Sequence, residues 1–165
     1  MKTNPSDGRP ALSADLSGLL GERGVLQLVL DAVQTLDHQS LEAEAARTPG
    51  FRPQMLLTLL AYCYATRRYG SRDIEWAMNH DRTVRYICAH VYPDWTLLRR
   101  FRRRNRERLV ECLAQVFHKA WASEAGDNEM ESPGLGWFQD FFNEQVRAEV
   151  LNRLDLAALH DVESD

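Results

Sequence analysis

The segment that follows Pro53 is apolar on nearly every side of a helix, and this constrains the fold more than any other feature. Pro53 suits the first turn of a helix, where its missing N–H would be unpaired in any case, and Gly70 is a natural end. A helix without a polar face has to be surrounded by other elements. Residues 53–69 are therefore predicted to form the buried centre of a domain.

Apolar residues repeat at helical spacing along the rest of the chain too, and no segment shows the two-residue alternation of a strand. A helix is predicted over residues 14–36, with breaks near Gly21 and Gly24. Asp37 is placed to cap the next helix, and Ser71 a later one. The fold class is therefore predicted to be all-α.

The middle of the chain predicts a helix-turn-helix-like unit. A short helix over residues 71–80 is followed by a connector over residues 83–89 and by a turn at Pro93. Asp94 is placed to cap a long basic helix that runs to about Ala122. We expect a compact helical domain that contains this unit and the long basic helix, plus a C-terminal amphipathic helix.

Composition divides the chain into a flexible leader (1–13), a helical domain (14–122), an acidic linker (123–136) and an amphipathic helix with its tail (137–165). The last part carries an apolar stripe at helical spacing, made of Trp137, Phe138, Phe141, Phe142, Val146, Val150, Leu151 and Leu154. This stripe allows packing on the domain or pairing with a second copy, since an amphipathic helix looks the same in both. Its acidic tail also allows it to compete with an anionic ligand for cationic residues elsewhere in the chain.

The net charge of -4 conceals a strong division along the chain. Residues 52–119 carry fourteen Lys and Arg against six Asp and Glu, a net +8, whereas residues 120–165 carry two against eleven, a net -9. Such asymmetry favours contact with a nucleic acid. No stretch reaches the roughly 18–20 apolar residues of a membrane helix. The N-terminus lacks the apolar core of a signal peptide, so a cytoplasmic, nucleoid-associated location is expected.

The chemistry of the chain is concentrated in seven arginines among the ten positions from Arg99 to Arg108, offset locally by Glu107 alone. Guanidinium groups bind phosphate oxygens and guanine edges, so this helix is predicted to enter a groove of double-stranded DNA. The expected DNA-binding residues are Arg72, Trp95, Thr96, Arg99, Arg100, Arg103, Arg104 and Arg106. Asn105 falls on the apolar seam, where we expect it to be hydrogen-bonded. The alternatives are a solvated or salt-bridged arginine face and an RNA-binding helix.

Four ordered motifs resemble those of the N-terminal domain of DDE insertion-sequence transposases of the InsH type. They are Arg52-Pro53-Gln54-Met55-Leu56-Leu57, Gly70-Ser71-Arg72-Asp73-Ile74-Glu75, Pro93-Asp94-Trp95-Thr96 and Phe101-Arg102-Arg103-Arg104-Asn105. The resemblance covers about residues 20–120, and it implies a helical domain that binds the terminal inverted repeats of a mobile element. The sequence departs from the family motifs at Trp95 and Asn105, where the family has His.

The catalytic part of that family is not found in the sequence. It opens with an Asp-Gly-Thr motif that occurs nowhere here, and its three carboxylates need a sheet to hold two divalent metals. His80, Cys88 and His90 lack the compact ligand pairs of a zinc site. Cys63 and Cys112, like Cys88, lie in apolar helical patterns that favour packed, reduced thiols. We expect no catalytic residues, metal, cofactor, small-molecule substrate or membrane contact.

The expected function is that of a stand-alone, transposase-derived DNA-binding protein that recognises inverted-repeat-like sites and has no catalytic activity. Double-stranded DNA is the expected partner, and a second copy of the chain or a full-length transposase are further candidates. The alternative is a protein-interaction module that binds or regulates a full-length transposase without contacting DNA.

Overall fold

The computed structural model describes residues 15–125 and 136–163, and within these ranges the protein is helical, without a strand. The helices are α1 (Ser17–Gln34), α2 (His38–Arg47), α3 (Pro53–Ala65), α4 (Ser71–His80), α5 (Arg82–Cys88), α6 (Trp95–Arg104), α7 (Arg106–Ala125) and α8 (Gly136–Glu163). The predicted all-α fold is confirmed. Across the described ranges, the hydropathy and length of the helices fall short of a membrane span.

Helix α3 lies at the centre of the molecule, as its sequence predicts. Pro53 occupies its first turn, and every residue from Leu56 to Ala65 is buried. Helices α1, α2, α5, α6, α7 and α8 all pack against it. An apolar helix surrounded in this way needs no polar face, because from Leu56 onward none of its sides meets water.

Two local predictions near the N-terminal end are confirmed. Gly21 breaks α1, with φ of 74° and ψ of 162°, a backbone conformation that favours glycine. Gly24, the second predicted break, remains helical. Asp37 caps α2, since its carboxylate accepts hydrogen bonds from the backbone N–H groups of Gln39 and Ser40.

The long basic helix predicted from Asp94 to Ala122 is two helices, and this prediction is wrong. Asn105 separates α6 from α7, with φ of -110° and ψ of 23°. Its buried side chain donates a hydrogen bond to the carbonyl oxygen of Phe101 at 3.0 Å, which confirms the predicted pairing of Asn105. Such a local bond competes with regular helix geometry and ends α6 here. Arg106 and Arg108 therefore belong to α7.

Helix α8 packs on the rest of the domain, which answers the question that its amphipathic sequence leaves open. Phe142, Val146, Val150 and Leu154 of the predicted stripe are buried against α7, α3 and α4, and Ala157 continues the stripe. Phe141 is exposed. The side chains of Trp137 and Phe138, the leader and residues 126–135 of the predicted linker lie outside the described residues. Most of the described stripe thus faces the chain's own core.

Arg153 fastens α8 to the central helix. Its guanidinium is fully buried and donates to the carbonyl oxygens of Tyr64 and Ala65 at 2.7 and 3.0 Å, at the C-terminal end of α3. It also donates to Glu149 at 2.9 Å and lies 4.7 Å from the centre of the Phe117 ring. A cation at the negative end of a helix is stabilised there by the helix dipole and by the carbonyl groups of the last turn.

Candidate nucleic-acid interface

Helix α6, which carries the arginine run, starts and ends at side-chain hydrogen bonds. Asp94 caps its first turn by accepting a hydrogen bond from the backbone N–H of Leu97 at 2.8 Å, as predicted. Leu98 and Phe101 are fully buried and hold one side of α6 on the core. The other positions of this ten-residue helix divide between two surroundings, one facing α8 and one facing α2 and solvent.

The side of α6 that faces α8 is neutralised by the protein itself. Arg102 is buried and donates to Asp161 of α8 at 2.5 Å. Arg99 lies 3.8 Å from the same carboxylate and donates to the backbone carbonyl of that residue. Arg106, at the start of α7, pairs with Asp155 at 2.9 Å. The sequence interpretation that Glu107 alone offsets the arginines is therefore wrong, because the partners come from about fifty to sixty positions along the chain.

Asp161 joins three helices at one carboxylate. It accepts hydrogen bonds from the backbone N–H and the hydroxyl group of Ser71, at 2.9 and 3.0 Å, in addition to its pairing with Arg102. Ser71 was predicted to cap α4, but Gly70 occupies the cap position and Ser71 is the first helical residue. The first turn of α4 is thus satisfied by an acid from α8, where the positive end of the helix favours a negative charge.

The side of α6 that faces α2 remains open. Arg100 and Arg103 are exposed, and neither forms an ion pair with any residue that the structure describes. Arg104 is anchored by Glu44 of α2, which accepts from Nε at 3.2 Å and from an Nη atom at 2.8 Å. Arg47, one turn further along α2, lines a cleft with Arg100 and Arg104. It also lines a neighbouring cleft with Arg103 and Arg104.

We call Arg47, Arg100, Arg103 and Arg104 the open basic face. Two carboxylates, Glu44 and Glu107, line the cleft that contains Arg103, and none among the described residues lines the other cleft, so the face has more cationic than anionic groups. An excess of guanidinium groups at adjoining clefts attracts polyanions. Sequence reasoning missed Arg47, because only the packing of α2 beside α6 brings it to this surface.

The aromatic residue at the start of α6 is held between α4 and α6. The guanidinium groups of Arg72 and Arg99 lie over the Trp95 ring, with their central carbons 4.4 and 5.0 Å from its centre. The backbone N–H of Trp95 donates to Glu75 at 2.6 Å. Thr96 is exposed, as is Arg72, whereas Trp95 is half-buried. These contacts fix the orientation of the first turn of α6.

Of the eight predicted DNA-binding residues, the structure gathers Arg100, Arg103 and Arg104 on the open basic face. Arg99 and Arg106 are held by carboxylates of α8, while Arg72 and Trp95 form the cation–π cluster. Thr96 lies one turn before Arg100 on the exposed line of α6. DNA contact by each of these residues stays a prediction.

The thiol groups are placed in the core and not at a reactive surface. Cys63, Cys88 and Cys112 are free and buried, which confirms the predicted packed thiols. Burial raises the pKa of Cys63 and of Cys112 to about 12 and that of Cys88 to about 11. Their nucleophilic thiolate forms are therefore scarce at neutral pH. Within residues 15–125 and 136–163, no group of three His, Cys, Asp or Glu is arranged to hold a metal ion.

The fold and the basic surface define a helical domain with one guanidinium-rich helix, and a family comparison identifies its class. Residues 25–104 match the family described as "Transposase domain (DUF772)". The match starts in α1 and ends with the last residue of α6, so it contains the whole open basic face. Residues 25–104, just under half of the chain, are therefore similar to a transposase domain. No curated protein and no solved structure matches the chain.

Proposed function

We propose that residues 25–104 form a DNA-binding domain of the InsH transposase type, which recognises inverted-repeat-like sites through α6. The observation that carries this proposal is the open basic face, where Arg47, Arg100, Arg103 and Arg104 meet across two adjoining clefts. Arginine forks bind phosphate oxygens bidentately and also pair with guanine edges. Double-stranded DNA offers both groups along one groove.

Helix α6 has the role of recognition helix in this proposal. Helices α4, α5 and α6 follow one another in the order of a helix-turn-helix variant, whose last helix enters the major groove. Thr96, Arg100 and Arg103 lie on its exposed line at spacings of four and three residues. The three side chains can therefore meet one groove together, with Arg104 and Arg47 beside it.

Binding, and not strand transfer, is the role that we assign to these residues. Three of the acids close to the basic segment are already paired with arginines: Glu44 with Arg104, Asp155 with Arg106, and Asp161 with Arg102. An acid engaged in this way is a poor candidate for holding a divalent metal. A protein that acts on DNA in this manner would be associated with the nucleoid.

Selection of bound duplexes from a random DNA pool tests the proposal. We expect the pool to converge on a shared sequence, because the α6 side chains would contact base edges. Affinity for a selected duplex should fall by orders of magnitude between about 50 and 200 mM salt, as expected for several arginine–phosphate contacts. A pool that stays random, with binding that is absent or insensitive to salt, would contradict DNA recognition and favour a protein-interaction module.

A further inference from the structure

The cleft between the end of α2 and the middle of α6 combines three guanidinium groups from two distant parts of the sequence. Arg47 comes from α2, and Arg100 and Arg104 come from α6, with Thr48, Pro49 and Leu97 completing the lining. Three like charges around one cleft repel one another unless an anion lies between them. Glu44 is the acid that contacts this group, through Arg104.

Glu44 orients Arg104 without using up its hydrogen-bonding capacity. The side chain of Glu44 is 4% exposed, and it accepts from Nε and one Nη atom of Arg104. A guanidinium has five N–H donors, so three donors of Arg104 remain without a partner among the described residues. A guanidinium that is already held in place loses less conformational entropy on binding an anion.

Arg47 and Arg100 supply N–H donors that no acceptor in the described part of the chain occupies. Both are exposed, and neither forms a hydrogen bond or ion pair there. Thr48, by contrast, has both its donors committed, the backbone N–H to Ala45 and the hydroxyl to Glu44. The ligand of this cleft therefore has to be recognised by guanidinium forks, whose geometry matches a tetrahedral oxyanion.

We infer that this cleft binds a phosphate group of the DNA backbone, clamped between Arg47 of α2 and the Arg100–Arg104 pair of α6. This inference rests on the proposed function and extends it, because it assigns to α2 a backbone contact that positions α6 in the groove. Phosphate contacts of this kind fix register and carry no sequence information. Glu44 acts as a positioning residue, since it would touch Arg104 and not the phosphate.

Two matched variants test the assignment. Arg47→Ala removes the α2 contribution, and Arg85→Ala is the control, because Arg85 is likewise exposed in the last turn of a short helix. We expect the slope of log affinity against log salt to become less steep by about 0.9 in Arg47→Ala, the value for one lost phosphate contact. The Arg85→Ala slope should equal that of the unchanged protein, and the selected DNA sequence should be the same for all three.

A second measurement identifies the phosphate and separates this inference from the proposed function. Neutral methylphosphonate linkages are placed one at a time along the selected duplex. One of them should weaken binding by the unchanged protein several-fold and weaken binding by Arg47→Ala by a smaller factor, because the substitution has already removed one of the contacts to that phosphate. If the protein binds DNA and Arg47→Ala behaves like Arg85→Ala, the clamp is refuted while the proposed function stands.

Binding of inorganic phosphate tests the anion site without DNA. A cleft that binds the free anion should raise the midpoint of thermal unfolding in the unchanged protein and in Arg85→Ala, and less in Arg47→Ala, because a ligand of the native state stabilises it. If the protein fails to bind DNA, this difference would still support an anion site and would identify free phosphate as its source. Equal rises of the midpoint in all three proteins on addition of phosphate, together with absent DNA binding, would overturn the clamp and the proposed function.

Discussion

Replacing Asp161 by alanine should destabilise the domain far more than an exposed aspartate of the same helix does. The carboxylate of Asp161 is 3% exposed and is the ion-pair partner of Arg102, whose side chain is 5% exposed. In Asp161→Ala the guanidinium of Arg102 stays buried without its acid. Breaking a buried pair from one side costs about 3–5 kcal/mol, which is a large part of the roughly 5–15 kcal/mol that stabilises a typical domain.

The same substitution removes the acid that satisfies the first turn of α4, through the N–H and hydroxyl groups of Ser71. For a chain of this length, 1 kcal/mol lowers the midpoint of thermal unfolding by roughly 2–4 °C. We therefore expect the midpoint of Asp161→Ala to fall by about 6–20 °C. Urea unfolding and thermal unfolding, both followed by circular dichroism, measure the change.

Asp155→Ala is the matched control, since it removes the same charged group from the same helix. The side chains of Asp155 and of its partner Arg106 are 70% and 42% exposed. Exposed pairs contribute less than about 1 kcal/mol, and alanine favours the helix more than aspartate does. If the free energy of unfolding falls in Asp161→Ala by an amount within about 1 kcal/mol of the fall in Asp155→Ala, Asp161 does not hold the three helices together.

Three further predictions concern the core and α8. Arg153→Ala leaves the Tyr64 and Ala65 carbonyls without this donor and opens a cavity. Its urea midpoint should therefore fall well below that of Arg147→Ala, which removes an exposed arginine of α8. Equal midpoints in the two variants would contradict this. The buried thiols bind protons more tightly when folded, so their contribution to the free energy of unfolding should be constant below about pH 9 and be lost between about pH 9 and 12. The free energy should fall less steeply in Cys63→Ala, by about 1.4 kcal/mol per pH unit. A free energy of unfolding that does not change between about pH 9 and 12 would refute this. Deleting residues 136–163 exposes the core that α8 covers, so thermal unfolding followed by circular dichroism should no longer be cooperative. A truncated domain that still unfolds cooperatively would contradict the packing role of α8.

The sequence predicted those features that depend on neighbours along the chain. The buried position of α3 follows from its missing polar face, and the caps at Asp37 and Asp94 follow from acids placed before helical segments. The hydrogen bonding of the Asn105 side chain was also predicted, but the break that it makes between α6 and α7 was not. Whether a polar side chain on an apolar seam interrupts a helix depends on how the flanking segments pack.

The missed features of the candidate site depend on contacts between distant residues. Asp161 replaces Ser71 as the group that satisfies α4, and it pairs with Arg102 from 59 positions away. Glu44 and Arg104 are 60 positions apart. A count of charges within one segment treats such arginines as unpaired, because the sequence does not show which arginine an acid of another helix contacts. The same limitation hid Arg47 from the predicted site.

A comparison of two double variants tests whether the open basic face binds DNA through α6. Arg100→Ala with Arg103→Ala removes two exposed arginines of α6, and Arg82→Ala with Arg85→Ala removes two exposed arginines at the same spacing from α5. We expect the first pair of substitutions to lower affinity for the selected duplex at least 25-fold, on the order of 1–3 kcal/mol for each arginine, and the second pair to change it little. Equal losses of affinity in the two double variants would show that DNA binding depends on total charge and not on the open basic face, and would contradict DNA binding through α6.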